Sequence, residues 1–142
     1  MRKILLVTVV LAAMVGSVTP VQAKAITKRS LWFLAPVPMG PRALGVIDTC
    51  SDTASELNGV TFQDKVVRAP RRADLLVVKI SPTADWDLYL CSRGKELNHS
   101  AGGLGAAEQV VISVRPGRAY RIRALNWAGE PDVYGSYVFY NT

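Results

Sequence analysis

From residue 60 onward the sequence breaks into short runs rich in Val, Ile, Tyr, Phe and Leu, separated by turn signals. The runs are Val60 to Arg68, Ala73 to Ile80, Trp86 to Cys91, Glu108 to Val114, Ala119 to Trp127 and Tyr134 to Asn141. Between them stand Ala69-Pro70-Arg71-Arg72, Ser81-Pro82-Thr83, Arg93-Gly94-Lys95, Pro116-Gly117 and Gly129-Glu130-Pro131. Proline fixes φ and lacks a donor, and glycine admits turn conformations closed to other residues, so these clusters end strands. No long window carries helical periodicity and no repeat is visible. Short strands at this spacing predict an all-β fold, a single antiparallel β-sandwich over residues 60–142.

Alternation assigns the faces. Val110, Ile112 and Val114 point one way and Val111, Ser113 and Arg115 the other. Tyr120, Ile122 and Ala124 face inward, which leaves Arg121 and Arg123 outside. In the run at 85–91, Trp86, Leu88 and Leu90 share the core side, and Asp85, Asp87, Tyr89 and Cys91 share the other.

The start of the chain is of another kind. Met1-Arg2-Lys3 is basic, residues 4–15 are apolar apart from Thr8, and Gly16, Pro20 and Val21-Gln22-Ala23 follow. These are the three regions of a cleavable signal peptide over residues 1–23, with Ala23-Lys24-Ala25 offering a second cleavage frame. A dozen apolar residues fall short of the ~20 that span a bilayer, so no membrane span is expected. Export predicts a secreted, extracellular or periplasmic protein. In that oxidising setting the only two cysteines, Cys50 and Cys91, are expected to pair.

Residues 24–59 are uneven. Leu31-Trp32-Phe33-Leu34 is a short apolar run before Pro36, Pro38 and Pro41, Ala43 to Ile47 suits an edge strand, and Asp48 to Glu56 reads as a polar loop. This segment is expected to lie across the sandwich, tied down by Cys50. Ser100 to Ala107 and the Asn98-His99-Ser100 stretch read as loops.

Ala84-Asp85-Trp86-Asp87-Leu88-Tyr89-Leu90 resembles the Asp-x-Asp-Leu-Tyr-Leu strand of the bacterial pre-peptidase C-terminal domain family. The neighbourhood agrees in order. Phe62 to Ile80 resembles the two preceding strands, and Ser92 to Lys95 the turn after the motif. Glu108-Gln109-Val110 resembles the next strand opening, and Arg115 to Tyr120 a Pro-Gly-x-Tyr turn. Arg123 to Ala128 with Gly135 to Phe139 resembles the closing strand pair. The likeness covers about residues 60–141. It implies a small secreted sandwich of jelly-roll-like arrangement, appended in relatives to exported peptidases and not itself catalytic. Relatives in collagenases bind protein fibres and carry calcium through an acidic linker, whereas Asp48, Asp52 and Glu56 here are sparse.

The candidate sites follow. Asp85 and Asp87 lie two apart on one side and, with further oxygens, could hold Ca²⁺; the alternative is that they accept backbone N–H bonds and fix the turn. No other cofactor is implied. A single histidine, His99, has no well-aimed nucleophile beside it, and Gly-x-Ser-x-Gly and His-Glu-x-x-His motifs are missing. The chain is therefore read as not an enzyme. Trp32, Tyr89, Trp127 and Tyr134 are aromatics that alternation does not place in the core. Of these, Trp127 and Tyr89, together with Arg121 and Arg123, make the candidate ligand-binding set. Arg68, Arg71 and Arg72 cluster at a turn and extend the basic patch toward an anionic glycan or wall polymer. The net charge of +6, two units of which leave with the signal, is too small to indicate a nucleic-acid partner. The expectation is a secreted binding or accessory module that meets an extracellular protein or polysaccharide surface. The alternative is a structural or assembly component of a secreted or envelope complex. Oligomeric state is not legible.

Overall fold

The computed structural model describes residues 23–35, 50 and 61–142. The signal peptide expected over residues 1–23 (except Ala23), the strand suggested at 43–47 and most of the polar loop expected at 48–56 lie outside the described residues. The eight strands are β1 (Lys24–Leu34), β2 (Thr61–Arg68), β3 (Leu75–Ile80), β4 (Asp85–Ser92), β5 (Lys95–Ser100), β6 (Glu108–Ser113), β7 (Ala119–Ala128) and β8 (Asp132–Asn141). They form two antiparallel sheets, ordered β1-β8-β3-β6 and β2-β7-β4-β5. The pairs β1·β8, β2·β7, β3·β6 and β4·β5 are nested one inside the next. That nesting is jelly-roll winding. Among the described residues there is no helix, and so none long and apolar enough to cross a membrane.

The interior is the one alternation implies. Leu76, Val78 and Ile80 of β3 and Val110 and Ile112 of β6 face Trp86, Leu88 and Leu90 of β4 and Tyr120, Ile122 and Ala124 of β7. Each large apolar side chain so enclosed contributes about 1.5–3 kcal/mol relative to exposure. Phe33, Leu31, Val133 and Phe139 close the same core from β1 and β8.

Two elements differ from the sequence reading. Residues 24–34 do not lie over the sandwich but form its edge strand β1, zipped to β8 from Lys24 opposite Asn141 to Leu34 opposite Asp132. Only Leu31 and Phe33 of this stretch are deeply buried, so most of β1 gives no apolar alternation to read. The second is β5, expected as a turn and loop. Its residues are nearly all exposed, and it is held by backbone pairing to β4, with His99 opposite Tyr89. His99 is thus a strand residue, not a loop residue. Its Nδ1 lies 2.7 Å from Glu96 Oε1.

Antiparallel winding also sorts the connections into two poles. At one lie the turns 69–74, 93–94 and 114–118 with the start of β1; at the other lie 81–84, 101–107 and 129–131.

Candidate functional site: two unlike outer faces

In the second sheet the outward positions of adjacent strands come into register. Phe62 lies opposite Leu125, Asp64 opposite Arg123 and Val66 opposite Arg121. On the other side of β7, Asp87 pairs with Leu125, Tyr89 with Arg123 and Cys91 with Arg121. The sequence-derived set of Trp127, Arg121, Arg123 and Tyr89 is therefore gathered on one surface, together with Asp85 and Asp87.

Around Tyr89, Leu125 and Arg123 that surface is closed, while Val66 at its end stays exposed and Arg121 partly so. Cys50 and Cys91 form a disulfide with Cα atoms 5.7 Å apart. The pair sits in a second apolar cluster with Tyr89 and Leu125, against which Phe62 and Trp127 pack. Arg123 points outward from the core, as its parity requires, yet only 1% of it is exposed. Its Nε and Nη2 donate to Asp64 Oδ1 and Oδ2 at 2.7 and 2.8 Å, and its guanidinium lies 3.7 Å over the Phe62 ring. The expectation that Arg123 stands in solvent is corrected by these contacts: a two-pronged ion pair and an aromatic face replace its water. Arg121 stays partly exposed and reaches the same carboxylate, Nε to Oδ2, at 3.5 Å.

Asp87 is buried as well. Its Oδ2 accepts a hydrogen bond from Trp127 Nε1 at 2.5 Å and a longer one from the Tyr89 hydroxyl at 3.4 Å. Burial pushes its carboxyl up from 3.8 to about 6; the Trp127 bond opposes the rise, and the charges of Asp85 and Glu108 add to it. Burial also raises the Tyr89 hydroxyl, helped by the negative charge of Asp87. Asp87 is thus bonded to side-chain N–H and O–H groups rather than to the backbone groups of a turn. Among the described residues no three His, Cys, Asp or Glu side chains gather as a metal site.

The outer face of the first sheet is different. Trp32 of β1 and Tyr134 of β8 are register partners whose rings lie 6.5 Å apart at 24°. They remain 49% and 64% exposed, and Leu34 beside them is also exposed. Two large aromatics left in water on neighbouring strands make a flat, adhesive surface of the type that sugars and protein side chains stack on. Sequence reading singled out both rings but could not pair them, because β1 was not recognised as a strand.

The fold and these faces define a class, an all-β sandwich with one outer face largely packed and the other presenting exposed aromatics. No protein-family model matches the chain, and no curated protein matches it either.

Proposed function

We propose that this chain is an exported, non-catalytic binding module that meets an extracellular polysaccharide or protein surface through its outer surface. The exposed Trp32–Tyr134 pair carries the reading: a face that leaves two stacked rings in water has surface to gain by covering them. The signal-like start supports export, and a disulfide of the Cys50–Cys91 type persists in oxidising compartments. The likeness of residues 60–141 to the pre-peptidase C-terminal domain family supports an accessory role, since that family is not catalytic. Titratable groups with shifted affinities, Asp87 and Tyr89, are bonded to each other and to Trp127 in a packed layer, a structural use of buried polarity.

The expected ligand surface is Trp32, Tyr134 and Leu34 rather than Tyr89, Arg123 and Trp127, whose contacts are internal. The same apolar face would also suit packing against a partner in an envelope assembly, the second reading. Co-sedimentation with insoluble polysaccharides and protein fibres tests the first. Retention that falls at least fivefold in Trp32→Ala/Tyr134→Ala supports it. Passage through every polymer, together with stoichiometric capture of one secreted protein, would favour assembly.

A further inference from the structure

The basic pole is a second, separate surface. Three turns meet there, 69–74, 93–94 and 114–118, and they bring Arg68, Arg71, Arg72, Arg93, Arg115 and Arg118 to one end of the sandwich. Lys24 and Lys95 begin the strands at the same end. The one carboxylate of these turns, Asp74, accepts hydrogen bonds from the backbone N and Oγ1 of Thr142. The opposite turns carry Asp85, Glu108, Glu130 and Asp132, and residues 81–85, 101–108 and 128–132 include no Lys or Arg. Among the described residues the turns of the two poles therefore differ in charge along the strand direction.

At the basic pole Arg68, Arg93, Arg115 and Arg118 line an open basin of about 560 Å³ with Ser92 and Gly117. None of the four has an acidic partner within ion-pair distance among the described residues. Two are nonetheless held in place. Arg118 Nε donates to Ser92 Oγ at 2.9 Å, and its guanidinium lies 5.8 Å from the Tyr120 ring centroid. Arg68 Nη1 donates to the Gly117 carbonyl at 2.5 Å. The Tyr120 hydroxyl accepts from the Arg115 backbone N at 2.7 Å and fixes the turn that carries Arg115. Four like-charged forks, two of them fixed, repel one another around one hollow, and that repulsion is relieved when an anion enters.

Arg93 adds an independent sign. It occupies the first position of a two-residue hairpin turn with φ of 54°, followed by Gly94 at 71°. Such turns favour Asn-Gly, because both residues must be left-handed. An arginine there works against local preference, and residues held against preference gather at functional positions.

We propose that this pole binds an anionic polysaccharide, its sulfate or carboxylate groups taken by the guanidiniums of Arg68, Arg93, Arg115 and Arg118. A chain-like ligand fits better than a lone oxyanion. The basin is far wider than one such group, and a second hollow at the same pole is lined by Lys24 and Arg72. The basin offers no exposed ring for base stacking, which sets nucleic acid aside. This inference rests on the reading of the chain as a binding module but uses a surface remote from Trp32.

The test is retention of the protein on immobilised heparin (sulfated) and polygalacturonate (carboxylated), with a neutral glucan as control, over a range of NaCl. Binding to at least one anionic polymer is expected, weakening with roughly the third to fourth power of salt concentration if about four charges are engaged. Arg93→Asn and Arg115→Ser should each weaken it about tenfold and lower the salt exponent by roughly one. Arg93→Asn should keep or raise the melting temperature, since Asn suits the turn, so lost binding cannot be ascribed to lost folding. The double variant Lys28→Ser/Lys79→Ser, on the first sheet, should bind as the parent does. Flow-through on both anionic polymers at low salt, or equal loss in the Lys28/Lys79 variant, would overturn the proposal. Flow-through on them with Trp32-dependent retention on a neutral polymer would overturn this inference alone. Anionic binding that ignores Trp32 and Tyr134 would uphold it while removing the aromatic face from the proposed function.

Discussion

The two sheets share one interior but treat their outer sides in opposite ways. On β4 and β7 both faces are buried, so outward residues such as Cys91, Tyr89, Leu125 and Arg123 form a second layer of packing. On β1 and β8 the outward residues Trp32 and Tyr134 stay in water. A covered face can afford polar groups only if each is partnered, and here Arg123 meets Asp64 while Asp87 meets Trp127. An uncovered face has no such constraint, and it is the face proposed to meet a ligand. Residue type alone does not separate the two: tryptophans and tyrosines occur on both.

This contrast can be broken or sharpened by substitution. The largest effect should come from the disulfide. Cys50→Ser/Cys91→Ser opens a loop with a sequence separation of 41 and should cost about 3–4 kcal/mol in denaturant unfolding. A loss below ~1 kcal/mol would mean that the sealed layer holds without its crosslink. Next, Asp64→Ala takes the two-pronged acceptor from a buried guanidinium and should cost about 3 kcal/mol. A near-neutral result would place Arg123 in solvent after all.

Asp87 gives an effect of opposite sign. Its folded-state affinity for protons exceeds the unfolded one, so its contribution is complete below pH ~4 and is lost as pH rises through about 6. Raising the pH from 4 to 7 should thus remove about 2 kcal/mol of stability through this group. Asp87→Asn should flatten that slope and be the more stable protein at pH 7. A variant with the parent's pH profile would show the carboxylate to be solvated. The smallest effect is expected on the open face: Trp32→Ala should change stability by less than about 0.5–1 kcal/mol.

Much of this was legible from alternation. The six runs from Val60 to Asn141 are all strands, with ends moved by a residue or two. Parity at Trp86, Leu88 and Leu90 put Cys91 on the outer side, and the disulfide lies there. What escaped was either edge structure or long-range partnership. β5 reads Lys-Glu-Leu-Asn-His-Ser, polar apart from the exposed Leu97, because pairing to β4 rather than burial makes it a strand. The depth of Arg123 depends on Phe62 and Asp64, about 60 residues earlier and brought alongside only by the β2·β7 register. The basic pole was half visible. Arg68, Arg71 and Arg72 are adjacent in sequence, but Arg93, Arg115 and Arg118 join them only once strand direction assigns every second turn to one end.

The difference between the faces is tested most directly by comparing Trp32→Ala with Trp127→Ala, each measured by thermal melt and by polymer co-sedimentation. Trp127→Ala should lower the melting temperature by roughly 10 °C, since it strips a half-buried ring and a donor from Asp87, and should leave polymer retention intact. Trp32→Ala should do the reverse, losing retention at an unchanged melting temperature. A melt lowered by Trp32→Ala and retention lost only in Trp127→Ala would exchange the roles of the two faces and contradict the account.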